Sequence, residues 1–97
     1  MNLFKDLLDK KIIFAFTVQG GLIYFHLTPL FRAWRKLYLN EEDRIIRLSS
    51  AHAFLRTQPG FKSLGAVKKI NGHAYRCVVF DLKTAPKELI TMIGHKK

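Results

Sequence analysis

The opening pattern is amphipathic. Leu3, Phe4, Leu7 and Leu8 recur at helical spacing while Lys5, Asp6 and Asp9 fall elsewhere, so residues 2–10 predict a short helix with one apolar face. The pattern then changes period. Ile12–Val18 and Leu22–Leu27 are dense in β-branched and aromatic residues and are separated by Gln19-Gly20-Gly21, which predicts a buried β-hairpin. No Asp, Glu, Lys or Arg occurs from Ile12 to Phe31, a length that also permits a bilayer span. Gln19, the two glycines, His26 and Pro29 argue for the hairpin instead.

Helical spacing resumes at Thr28-Pro29, read as N-cap and first helical position. Leu30, Phe31, Trp34 and Leu37 are expected inward, with Arg32, Arg35 and Lys36 outward. A second helix is expected to open at Asn40-Glu41-Glu42-Asp43, where a capping residue and acids suit the positive end of the helix dipole. Its stripe of Ile45, Leu48, His52 and Leu55 makes His52 a core or boundary histidine rather than a ligand, and Thr57-Gln58-Pro59-Gly60 ends it. Leu64–Ile70 and Tyr75–Phe80 flank Asn71-Gly72, the strongest short-range hairpin signal, because a type I′ turn needs positive φ at both central residues. Leu89–Ile93 favours a final strand; a short helix beginning at Pro86 is the other reading. The sum is one α+β domain with a small antiparallel sheet.

Charge changes this picture more than any single motif. The 97 residues carry a net charge of +10 while 48% are hydrophobic, so the chain has material for a core and is not a disordered basic tail. Nucleic acid is the first partner such an excess suggests, then an acidic protein segment, then an anionic membrane surface. Cations on neighbouring strands of the Asn71-Gly72 hairpin would give a basic sheet face suited to a polyphosphate.

Other chemistry is sparse. Cys77 is the single cysteine, set in an apolar run, and reads as a buried structural thiol in a reducing cytoplasm. His26, His52, His73 and His95 have no zinc spacing, no glycine-rich phosphate loop occurs, and no cofactor or metal is expected. The first helix has too few preceding basic residues, and no small-residue cleavage site, for a convincing signal peptide.

Over Leu22–Lys97 the chain resembles the RelE family of type II toxins, small basic endonucleases that cut messenger RNA in the ribosomal A site. The resemblance rests on Trp34-Arg35-Lys36-Leu37, on Lys69 followed by the turn and Tyr75-Arg76, and on the ending Gly94-His95-Lys96-Lys97. It implies a small antiparallel sheet packed against two helices over 22–97, with residues 1–21 as an N-terminal extension of helix and strand. It also implies an active site on the concave face of the sheet. Lys69, Arg76 and Lys96 match the family's cationic positions. Val67 stands where the family has a second lysine, Lys96 stands for an arginine, and the family's tyrosine beyond the last strand has no counterpart.

The chemistry suits that role. When the 2′-hydroxyl of RNA attacks its neighbouring phosphate, negative charge gathers on the phosphoryl oxygens, where fixed cations stabilise it. Arginine grips such oxygens in a fork that lysine cannot reproduce. His95 is the first choice to carry the proton and His73 the second. Lys62, Lys68, His73 and Lys97 complete the expected RNA contacts. The resemblance further implies a small acidic antitoxin as partner, with Phe31 and Trp34 as apolar anchors. The alternative is a non-catalytic basic binding protein on the same fold: an inhibitor of gyrase, as in the ParE branch, or a phage-type inhibitor of a host enzyme.

Overall fold

The computed structural model describes residues 2–38 and 47–94. In chain order the elements are α1 (Leu3–Leu7), β1 (Phe16–Gln19), β2 (Leu22–His26), α2 (Leu27–Leu37), α3 (Leu48–Arg56), β3 (Phe61–Ile70), β4 (His73–Asp81) and α4 (Lys87–Met92). The strands form one antiparallel sheet in the order β1-β2-β4-β3. Both expected hairpins are present, although β1 starts at Phe16 rather than Ile12 and is only partly buried, with Ile13 94% exposed; they join through their second strands, with Ile23 opposite Phe80 and Phe25 opposite Val78. The fold class is α+β.

The β3–β4 turn is made as its sequence requires. Asn71 has φ 54° and Gly72 has φ 86°, so the side chain-free glycine takes the more demanding position while asparagine tolerates the other. His73 pairs with Ile70 and is the first residue of β4. From Phe16 onward the Ile12–Phe31 segment becomes β1, β2 and the start of α2. Among the described residues no helix is long and apolar enough to cross a membrane.

Among the described residues one core lies between the sheet and the four helices. Leu3, Phe4 and Leu7 of α1 are fully buried with Phe25, Leu30, Leu55, Phe80 and Leu89. Phe80 anchors the cluster: its ring lies 5.8 Å from Phe4, 6.0 Å from Phe25 and 5.8 Å from Phe61. Residues 2–21 are therefore joined to the core and to the sheet of the other described residues. Asp6 fastens α1 to α2 by accepting hydrogen bonds from Trp34 Nε1 at 3.0 Å and from the Tyr38 hydroxyl.

Several expectations need correction. The first long helix begins at Leu27 with His26 at its N-cap and no side-chain cap. Pro29 still falls in the first turn, where a backbone N–H has no intrahelical partner to lose. Leu37 is 41% exposed rather than inward, and Leu8 is 38% exposed beyond the end of α1. The expected opening of the second helix at Asn40–Asp43, and Ile45 with it, lie outside the described residues.

The largest correction is at the end of the chain. The final strand expected over Leu89–Ile93 is helix α4, which starts after Pro86. Leu89 and Ile93, four apart, both reach the core, and Thr91 Oγ1 donates to the Lys87 carbonyl at 3.0 Å. Burial of an i, i+4 apolar pair outweighs the strand preference of β-branched residues, which is itself context-dependent.

Candidate nucleic-acid interface

The β3–β4 hairpin changes character along its length. In β4, Cys77, Val78, Val79 and Phe80 are all buried, whereas His73, Ala74 and Arg76 are exposed. Alternation places Val67, Lys69, Ala74 and Arg76 on the side of the sheet that Val78 and Phe80 turn to the helices. Yet Val67 is 68% exposed, and the other three are exposed too. The helices thus cover the base of the hairpin and leave their side of its tip bare; on the opposite face Ile70 is buried and Lys68 and Tyr75 are half-buried. No Asp or Glu occurs from Phe61 to Phe80, where Lys62, Lys68, Lys69 and Arg76 all lie.

The pleat divides the expected basic face in two. Val67 lies opposite Arg76 and Lys69 opposite Ala74, so Lys69 and Arg76 are diagonal neighbours on one face. Lys68 points to the other face, where its Nζ sits 4.7 Å from the centre of the Tyr24 ring, a cation–π arrangement. On that face Tyr75 lies 5.0 Å from His26 and 6.4 Å from His73. Cys77 is buried there, and its Sγ is 3.7 Å from the Tyr75 carbonyl. Burial pushes the thiol above its ordinary range, against a smaller downward pull from Lys68.

Of the other expected residues, Lys62 sits at the far end of β3, roughly 20 Å along the strand from Lys68 at about 3.3 Å per residue. It is exposed and is not brought into the tip cluster. His95, Lys96 and Lys97 lie outside the described residues. The setting expected for Lys96, directly beyond a last strand, is absent, because α4 precedes Gly94. Trp34 is 1% exposed and belongs to the core, so it offers no anchor to a partner; Phe31 is half-buried.

Sequence reading missed one feature. A cleft of about 520 Å³ lies between α2, α3 and the middle of the hairpin, with Phe31, Leu48, His52, Arg56, Leu64 and Arg76 among its walls. His52 and Arg56 are one helical turn apart on α3 and are half-buried and exposed respectively. Their i, i+4 spacing is visible in the sequence; that they face Arg76 across a cleft is not. Gly65, at φ 77°, forms the adjoining irregularity in β3, where the register shifts between Ser63 and Ala66. Such a bulge re-aims the strand, turning Leu64 toward the core before pairing resumes. Among the described residues no group of His, Cys, Asp or Glu is arranged to hold a metal ion.

No protein-family model, no curated protein and no solved structure matches this chain.

Proposed function

We propose that this protein binds RNA through the tip of the β3–β4 hairpin and thereby blocks translation in the cytoplasm. The observation that carries this reading is the acid-free tip: exposed Lys69 and Arg76 on one face, half-buried Lys68 with Tyr24, Tyr75 and two histidines on the other. Fixed cations hold a phosphate backbone, and aromatic rings beside them stack single-stranded bases with little regard to sequence. The net charge of +10 adds long-range attraction and a fast encounter.

Binding of a single-stranded RNA oligonucleotide, measured across salt concentrations, tests the reading. Each phosphate contact contributes about −0.7 to the slope of log affinity against log salt for single strands, so Lys69→Gln with Arg76→Gln should flatten it by about 1.4. An unchanged slope in the folded double variant removes the hairpin from the interface.

A second reading, cleavage of the bound messenger as in RelE-type toxins, is favoured by Lys69 and Arg76 sharing one face. Two cations so placed suit the phosphoryl charge of the transition state. Mapping of messenger ends after expression distinguishes the two: in-frame cuts support cleavage, and a translation block with intact messenger supports binding alone. DNA breakage with continued translation points to the gyrase branch. A small acidic antitoxin would find Phe31 and the exposed Leu37 on α2, in place of Trp34.

A further inference from the structure

We propose that the cleft between α3 and the hairpin holds one nucleotide of the bound strand, with its base against the apolar wall and its phosphate on Arg56 and Arg76. This rests on the RNA-binding reading but assigns a distinct site. The cleft joins two chemistries. Leu27, Phe31, Leu48, Leu64 and Val78 give an apolar wall, and Arg56 and Arg76 give a cationic side next to His52.

Among the described residues that line the cleft, none is acidic. Among the described residues neither arginine has a hydrogen-bonding or ion-pair partner, so both guanidinium groups are available to an anion. A flat, largely apolar body that ends in a phosphate matches that division. The volume of about 520 Å³ falls in the range of small-molecule sites, which are mostly apolar with a few placed polar groups. A bare phosphate would leave the apolar wall wet, and an uncharged apolar ligand would leave the arginines unused.

The position on the sheet gives the strand a path. Lys69 and Arg76 are diagonal neighbours on the bare face, and Arg76 also lines the cleft. A backbone following these cations arrives at the cleft mouth, where one base can unstack and enter. Arginine is the apt residue there, since its fork holds two phosphate oxygens at once.

The test is titration of the full chain with each of the four nucleoside 5′-monophosphates, with inorganic phosphate and the unphosphorylated nucleosides as controls. The readout is the imidazole resonances of His52. A saturable shift of His52, at least tenfold tighter for one mononucleotide than for phosphate or its nucleoside, is the expected result. Arg76→Gln and Arg56→Gln should each weaken it about tenfold. Leu48→Trp should abolish it by filling the mouth; Leu48 is 48% exposed, so the thermal melt should stay in place.

Phosphate binding as tightly as the nucleotide would reduce the cleft to a plain anion site and overturn the proposal. So would a nucleotide that binds equally well to Leu48→Trp. The same proteins are assayed with single-stranded RNA. RNA binding without mononucleotide binding overturns the cleft and leaves the RNA reading intact. Mononucleotide binding without RNA binding supports the cleft and overturns the RNA reading.

Discussion

The two halves of β4 are built from neighbouring residues and obey opposite rules. From Cys77 to Phe80 every side chain is buried, with Val78 and Phe80 in the helix-backed core and Cys77 and Val79 on the other face. From His73 to Arg76 only Tyr75 is even half-buried, and the apolar residues give way to His, Tyr and Arg. The backbone pairing is continuous: β3 and β4 stay in register from Ala66–Cys77 to Ile70–His73. The contrast teaches that one strand pair can be anchored at its base by packing and freed at its tip for contact. The base then holds the tip rigid without sharing its chemistry.

Substitutions on either side of this boundary should separate stability from binding. The largest effect is expected at Phe80→Ala. Removal of a fully buried ring that meets three other phenylalanines should cost about 3–5 kcal/mol in urea unfolding, enough to leave the domain marginal. The fraction that remains folded should bind RNA as the parent does. Arg76→Gln should do the reverse. Stability should stay within about 0.5 kcal/mol, as for an exposed residue without partners. RNA affinity should fall by about 1.5–3 kcal/mol, the usual contribution of a hydrogen bond to a charged group. Equal effects of the two substitutions on unfolding and binding would erase the distinction between base and tip.

The sequence disclosed the parts of this arrangement that local chemistry decides. Asn71-Gly72 specified its turn, and the β-branched and aromatic runs on either side of Gln19-Gly20-Gly21 specified the other hairpin. The end of the chain was misread because Leu89–Ile93 is short and rich in β-branched residues, and only the core it meets decides between strand and helix. The split of Lys68 from Lys69 follows from the two-residue period of any strand, although the pair reads at first as one basic patch. The cleft was illegible, since it depends on how α3 lies across β3 and β4.

Gly65→Ala probes the boundary itself. At φ 77° a Cβ is strained although nothing lies within 4 Å of it. The substitution should cost about 1 kcal/mol and loosen both functions together, because the bulge sets the angle at which the tip leaves the base. A loss confined to stability would show that the tip does not depend on the bulge.

The smallest effect concerns Cys77, the first buried residue below the tip. Its folded thiol is raised above the ordinary value near 9.0 by burial, so the protonated form is favoured more in the folded chain than in the unfolded one. That contribution is complete below the unfolded pKa and is lost as pH rises through the folded one. Stability should therefore decline above about pH 9 more steeply in the parent than in Cys77→Ala. Alkylation of the native protein at neutral pH should be slow relative to the denatured chain. Rapid native alkylation would place Cys77 on the exposed side of the boundary.

The most direct test of the account is amide chemical-shift mapping of the full chain during titration with a single-stranded RNA oligonucleotide at low salt. The account predicts saturable shifts concentrated at residues 65–76, with α4 and the 78–81 end of β4 nearly unmoved. Shifts centred on α4 or on the β1 edge, or no saturable shift at all, would contradict the claim that the hairpin tip is the RNA-binding element.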